Sequence, residues 1–317
     1  MTGSWTNTRN LGSTGLEVTS VCVGGSPLGS MPHLYGYEVS AEQAVAAVEA
    51  VFDGPFNFLD TSNAYSDGDS ERRIGEVIRR RGGLPPGFVL ATKVDSDPRT
   101  GDYSGARVHR SAEESLERLG LDHFELLHLH DPEVMPFDVA AAPGGPVEAL
   151  VELRDRGLAS YIGVAGGNLA EMAKYVATGA FDVLLTHNRY TLLDRSAEAV
   201  IDAARSRGMG VINAAPYGGG MLAKGARAQP RYAYGLGATS MAVIANTMQA
   251  ACERYGVPLA AAALQFSTRD PRIDSTVVGI STPARVAQTA ALLNHAIPTA
   301  LWDELEALTP PRELWIR

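Results

Sequence analysis

Cysteine is nearly absent: the 317 residues include only Cys22 and Cys252. Two thiols cannot build a disulfide framework, which favours a reducing compartment. Long apolar runs are missing as well. No stretch of about 18 apolar residues exists to span a bilayer, and the opening MTGSWTNTRN has no apolar signal core. A basic surplus is also lacking, since 27 Lys plus Arg stand against 36 Asp plus Glu, a formal charge of −9. No excess of cations is left to neutralise phosphates, which argues against nucleic acid as a partner. What the chain does have is 45% apolar residues and only 20% charged ones, enough for a sizeable core and too much apolar content for disorder. The expectation is a cytoplasmic protein with one domain over residues 1–317, working on small molecules, away from membranes and free to form a homo-oligomer.

Two patterns alternate along the chain. Short β-branched runs fall at 18–24, 56–61, 88–94, 124–130, 160–165, 182–188, 210–215 and 275–280. Ala/Glu/Arg-rich stretches follow at 40–53, 70–81, 105–119, 146–156, 169–178, 196–207, 240–255 and 283–293, with further helices expected near 258–269 and 298–308. Ser40 and Ser70 stand where N-caps belong, and Gly82, Gly120, Gly157 and Gly208 where left-handed C-terminal caps belong. Eight strand-then-helix units imply a parallel sheet, and continuous apolar strands imply burial on both faces. The fold class predicted is α/β, a closed (β/α)8 TIM barrel. An open doubly wound sheet would want a Gly-rich fingerprint after its first strand. In VGGSPLGS, Pro27 interrupts the glycines and no helix follows at once. Residues 9–20 read as a hairpin plugging the barrel bottom, and 216–239 as a long loop after strand seven.

In such a barrel, chemistry gathers at the C-terminal strand ends. Strand two ends in Asp60 and runs into Tyr65 (LDTSNAY), strand three ends in Lys93 (ATKV), and strand four ends in His130 (HLHDP). A free phenol has a pKa near 10 and is a poor base at neutral pH. An ammonium within reach, here Lys93 held by Asp60, lowers that value. His130 can hydrogen-bond a substrate oxygen. Such a set moves a proton on or off an oxygen while a hydride moves at the attached carbon.

These segments resemble the catalytic segments of the aldo-keto reductase family, in matching order and spacing. The likeness runs from RNLGSTGLEVTSVCVGG to VVGISTPARV, nearly the whole chain. It implies a catalytic tetrad of Asp60, Tyr65, Lys93 and His130 with Tyr65 as general acid/base. It also implies an extended NAD or NADP held without a dinucleotide-binding βαβ fold. By the same likeness the carboxamide meets Asn168, His187 stands where a glutamine is usual, and Ala214 replaces a stacking aromatic. Pro216, Tyr217, Gly218, Gly219, Leu222 and Lys224 cover the pyrophosphate, and Gly279, Ser281 and Arg285 receive the adenosine phosphate at a helix N-terminus. Arg285 argues for NADP and Ser281, in place of a second basic residue, for NAD, so both coenzymes stay open.

NRYTLLDR and INAAPYGGGMLAKG further resemble the branch of that family that oxidises aldoses such as L-fucose, D-arabinose and L-galactose to lactones, with pyridoxal dehydrogenase nearby. The implied substrate is therefore a small sugar or aldehyde. Tyr35, Tyr37, Tyr103, Tyr217, Tyr232 and Tyr234 are candidate faces for a sugar, of which about two are expected to touch it. Carbonyl reduction in the opposite direction is the first alternative, and a cofactor-binding regulatory subunit the second. His128 and His130 share one side of a strand and suggest a metal barrel with Asp131 and His187. A complete ligand set is poorly supplied, so no metal is expected, and His128 reads as a core histidine bonded to a nearby carbonyl.

Overall fold

The computed structural model describes residues 8–316. Strands β1 (Thr8–Asn10) and β2 (Glu17–Thr19) form an antiparallel hairpin. Strands β3 (Val21–Gly24), β4 (Phe58–Asp60), β5 (Val89–Val94), β6 (Phe124–His130), β7 (Ala159–Gly166), β8 (Val183–His187), β9 (Gly210–Ala214) and β10 (Ser275–Gly279) close a parallel barrel in that order, β10 pairing β3. Helices between successive strands cover its outside, as the alternation of apolar strands and amphipathic stretches requires.

The period-two geometry of the strands sorts their side chains. Cys22, Phe58, Ala91, Leu126, Leu185 and Ile212 point inward and form one cluster. Val23, Leu59, Leu90, Leu127, Ile162 and Val211 point outward and pack against the helices. Leu11 and Val18 of the hairpin join the inward cluster, so the hairpin is the barrel floor. There Gly12, at φ +56°, passes so close to β9 that a Cβ would lie 2.2 Å from the Gly210 nitrogen.

The expected strand at 18–24 is two strands. The chain turns at Ser20 from floor into wall, because the apolar pattern continues while its partner changes from β1 to β4 and β10. Ser40 caps the helix Ala41–Phe52 by accepting from the Gln43 N–H. Ser70 does not cap. The helix Asp69–Arg81 begins one residue earlier, with left-handed Gly68 at its N-cap. Ser70 instead donates to the Gly25 carbonyl at 2.8 Å and meets Thr61 Oγ1, tying this helix to the mouth of the barrel. The expected left-handed glycines 82, 120, 157 and 208 all have φ between +71° and +77°. No helix among the described residues is long and apolar enough to cross a membrane.

Candidate active site

The ends of β4, β5 and β6 adjoin around the barrel mouth and bring the four expected residues together. Lys93 Nζ donates to Asp60 Oδ2 at 2.6 Å and to the Thr61 carbonyl at 2.6 Å. It lies 3.3 Å from the Tyr65 hydroxyl and 4.9 Å from the centre of that ring. Lys93 and Asp60 are 1% and 3% exposed, so the pair is desolvated. The Tyr65 and His130 rings meet edge to face at 5.8 Å.

Burial raises the carboxyl of Asp60 while the Lys93 charge pulls it back. Burial also raises the phenol of Tyr65 well above 10, with Asp60 adding to the rise. Contrary to the depression expected from Lys93, the net direction for the Tyr65 phenol is up, which favours its neutral form. Burial lowers the His130 imidazole, but the charges of Asp95 and Asp131 outweigh it and the net direction is up.

Three neighbours of this set lie outside the residues expected for catalysis or cofactor binding. Asp95 Oδ1 is 2.6 Å from His130 Nδ1, and its Oδ2 accepts from Ser62 Oγ at 2.5 Å and from the Ala64 N–H at 3.0 Å. Asp131, at φ +41°, sets its carboxylate 3.8 Å from His130 Nε2 and 4.0 Å from His187 Nε2. Asn188, at φ +60°, lines the same opening beside His187. The signal for Asp95 was present, because it lies two residues after Lys93, just past the end of β5, and so on the same side if the extended chain continues. Asp131 and Asn188 each follow a strand-end histidine and are residue types that tolerate the left-handed conformation.

A cleft of about 410 Å³ runs from Tyr65, across Ala214, Pro216, Tyr217, Gly219 and Lys224, to Gly279, Ser281 and Arg285. His187 also lines it. Three expected contacts fall elsewhere. The Asn168 side chain caps the helix Leu169–Thr178 by accepting from the Glu171 N–H, and the residue is exposed outside the cleft. Leu222 is buried in an apolar cluster with Met221 and Met248. Gly218 packs on the Tyr232 ring, where a Cβ would meet Cε2 at 2.1 Å. Of the six tyrosines, Tyr35, Tyr37, Tyr217 and Tyr234 line the cleft. Tyr232 is buried, its hydroxyl donating to the Asn188 carbonyl at 2.9 Å. Tyr103 is buried with its hydroxyl 2.6 Å from the His130 carbonyl oxygen, and it accepts from the His130 N–H at 3.0 Å. These two brace the site from behind.

His128 points inward, in space left by Gly163, whose Cβ would lie 2.1 Å from His128 Nδ1. Contrary to expectation it bonds no carbonyl: both ring nitrogens are buried without a partner among the described residues. Burial, then the charges of Lys93 and His130, push its pKa well below the usual 6.5, so it is neutral. Among the described residues no three His, Cys, Asp or Glu side chains are placed to hold a metal ion.

Residues 20–310 match the model of the aldo/keto reductase family. The chain is 32% identical over 313 residues to L-galactose dehydrogenase of Arabidopsis thaliana, covering 96% of this chain and 94% of the relative. It is 30% identical over 317 residues to D-threo-aldose 1-dehydrogenase of a Pseudomonas species, covering 92% and 94%. It is 30% identical over 336 residues to pyridoxal 4-dehydrogenase of Microbacterium luteolum, covering 94% and 96%. The fold is shared with aldo-keto reductase AKR11C1 from Bacillus halodurans in its holo form, with a TM-score of 0.76, 21% identity and 96% of each chain covered. Barrel, hairpin floor and family match agree, and the chain belongs to the aldo/keto reductase family as an oxidoreductase that uses NAD(P)H.

Proposed function

We propose that the protein oxidises an aldose at C1, as the cyclic hemiacetal, to the lactone, with Tyr65 as acid/base. The observation that carries this reading is Lys93 Nζ bridging Asp60 Oδ2 and the Tyr65 hydroxyl at the head of the cleft. When bound, the nicotinamide ring supplies the hydride acceptor or donor. The cleft fits such a cofactor in three respects. Asn188 Oδ1 and the Tyr217 hydroxyl are buried without partners among the described residues and line it, one suited to an amide N–H and the other to a polar group of the dinucleotide. Lys224 and Arg285 bring positive charge to its far half. Ser281 and the positive end of the helix Pro283–Leu293 suit a phosphate. On this reading Asn188 takes the role first expected of Asn168.

In the oxidation the Tyr65 oxygen takes the anomeric hydroxyl proton while the C1–H bond gives up its electron pair. For this Tyr65 first gives up its own proton to solvent; the Lys93 ammonium stabilises the phenolate until it accepts the substrate proton, and His130 donates a hydrogen bond to the reacting oxygen. Asp131 and His187 stand beside that oxygen, placed to bond a neighbouring hydroxyl. Tyr35, with its ring 6.0 Å from that of Tyr37 and 6.4 Å from that of Tyr234, joins them in offering faces to C–H patches of a sugar. Carbonyl reduction is the second reading, favoured by a phenol that rests protonated and ready to donate.

The test is absorbance at 340 nm with L-galactose, L-fucose, D-arabinose, pyridoxal and simple aldehydes, each with the oxidised and reduced coenzymes. The expected result is reduced-coenzyme formation with at least one aldose. NADPH consumption with aldehydes and silence with every sugar would move the assignment to the reductase. Arg285, exposed at the end of the cleft, sets the coenzyme. Arg285→Ala is expected to weaken NADP binding by about tenfold or more, the worth of one hydrogen bond to a charged group, while NAD binding changes little. Titration of each coenzyme by protein fluorescence reads this, and equal losses would remove Arg285 from phosphate recognition.

A further inference from the structure

The tetrad leaves Asp95 unused, yet this carboxylate is among the most constrained groups at the barrel mouth. It is 7% exposed. One oxygen bonds His130 Nδ1, and the other accepts from Ser62 Oγ and the Ala64 N–H. Its own N–H donates to Ser111 Oγ at 3.0 Å, and its carbonyl accepts from Arg107 Nε at 3.1 Å. Side chain and backbone are thus both fixed. Ser62 Oγ is also 3.1 Å from His130 Nδ1, so the ring nitrogen faces a closed polar pocket. From behind, the Tyr103 hydroxyl fixes the His130 backbone.

We propose that Asp95 is a positioning residue that holds His130 as an imidazolium, with Nδ1–H spent on Asp95 and Nε2–H aimed at the substrate oxygen. A neutral ring with its proton on Nδ1 would present a lone pair at Nε2 and could not donate there. A carboxylate on Nδ1 removes that ambiguity by favouring the doubly protonated ring. The groups around His130 set the balance. From β5, Asp95 favours the cation and Lys93 opposes it; from the strand's own end, Asp131 favours it. From β4, Asp60 is held by Lys93, and from within the barrel His128 stays neutral. From β8, burial lowers the His187 imidazole, so it adds no competing positive charge near neutral pH. The Tyr65 ring contributes an edge-to-face contact. The donor serves either direction, because the reacting oxygen carries negative character in oxidation and in reduction alike.

The inference rests on Tyr65 being where substrate oxygen sits, so its test needs a readout free of turnover. Histidine ring 15N–1H correlation spectra would be recorded on the wild-type chain and on Asp95→Asn across pH 5–9. The expected result is that wild-type His130 titrates above 6.5 and that in Asp95→Asn it titrates below 6.5. Ser62→Ala, which keeps the carboxylate, is expected to shift it less and guards against misfolding of the first variant. Turnover then gives the second arm. Asp95→Asn is expected to lose about 10–100-fold in kcat at pH 8, the worth of one charge-assisted hydrogen bond, and this loss, taken relative to wild type at the same pH, is expected to shrink as pH falls and reprotonates the ring. A wild-type ring that is neutral at pH 6.5, an unmoved titration in Asp95→Asn, or a kcat loss that does not recover in acid would each overturn the proposal. An imidazolium that depends on Asp95 in a protein that oxidises no sugar would leave it standing and overturn only the aldose reading.

Discussion

Tyr65→Phe is expected to lose about 10²–10⁴-fold in kcat while binding coenzyme as tightly as the wild-type chain. The change deletes one oxygen and keeps the ring that packs edge to face on His130. Its fold cost is small because, among the described residues, the hydroxyl has only the long 3.3 Å contact with Lys93 to lose. The chemical cost is large because, among the described residues, no other hydroxyl bonds the Lys93 ammonium. Tyr35 spends its hydroxyl on Ser26 at 2.8 Å, and burial raises its phenol. Stopped-flow hydride transfer separates this from slow product release. Turnover within threefold of wild type would mean that another group moves the proton.

Lys93→Met tests the same centre through stability. The ammonium lies between Asp60 Oδ2 and the Thr61 carbonyl with both partners buried, and Asp60 Oδ1 has no hydrogen bond of its own among the described residues. Removing the cation leaves a buried carboxylate with nothing to balance it. Breaking such a pair from one side costs about 3–5 kcal/mol, a large share of the roughly 5–15 kcal/mol that holds a protein folded. A fall in Tm of roughly 10 °C follows, together with loss of turnover. The companion variant Asp60→Asn/Lys93→Met removes both charges, and is expected to regain much of the stability and none of the activity. Differential scanning calorimetry distinguishes these outcomes. A single variant as stable as wild type would show the pair to be hydrated, and no regain in the double variant would show that Lys93 matters for packing rather than charge.

Much of this site was legible in the sequence because its chemistry sits at strand ends. A strand ending in Asp, Lys or His places that residue at the barrel mouth whatever the flanking helices do. Asp60, Lys93 and His130 therefore needed only the strand order, and Tyr65 only a short loop. The cofactor side was harder. Asn168 follows a strand as well, but it also precedes a helix, and a helix start claims such a side chain. Leu222 and Gly218 lie in a loop whose turns decide which residues face the cleft, and Gly218, Gly219 and Gly220 all have positive φ. Tyr103 and Tyr234 look alike in sequence, each flanked by polar or small residues, yet one braces His130 and the other lines the cleft. What separates them is long-range packing, which periodicity does not encode.

The closure of β10 on β3 has a consequence for how the chain is made. Ser275 donates to the Thr19 carbonyl, Thr276 pairs with Ser20 and Val21, and Arg9 reaches the Ile273 carbonyl, so the first strands find their last partner only near the end of the sequence. At translation speeds of about 5–20 residues per second, the open side of β3 waits on the order of tens of seconds after it is synthesised. Throughout that wait it offers unpaired N–H and C=O groups, beside an apolar strand, to any other nascent chain. The hairpin occupies the floor but leaves this edge open. The burden of keeping ribosome-bound chains apart therefore falls on cellular chaperones, and yield in a host should track chaperone supply more closely than it tracks the stability of the finished barrel.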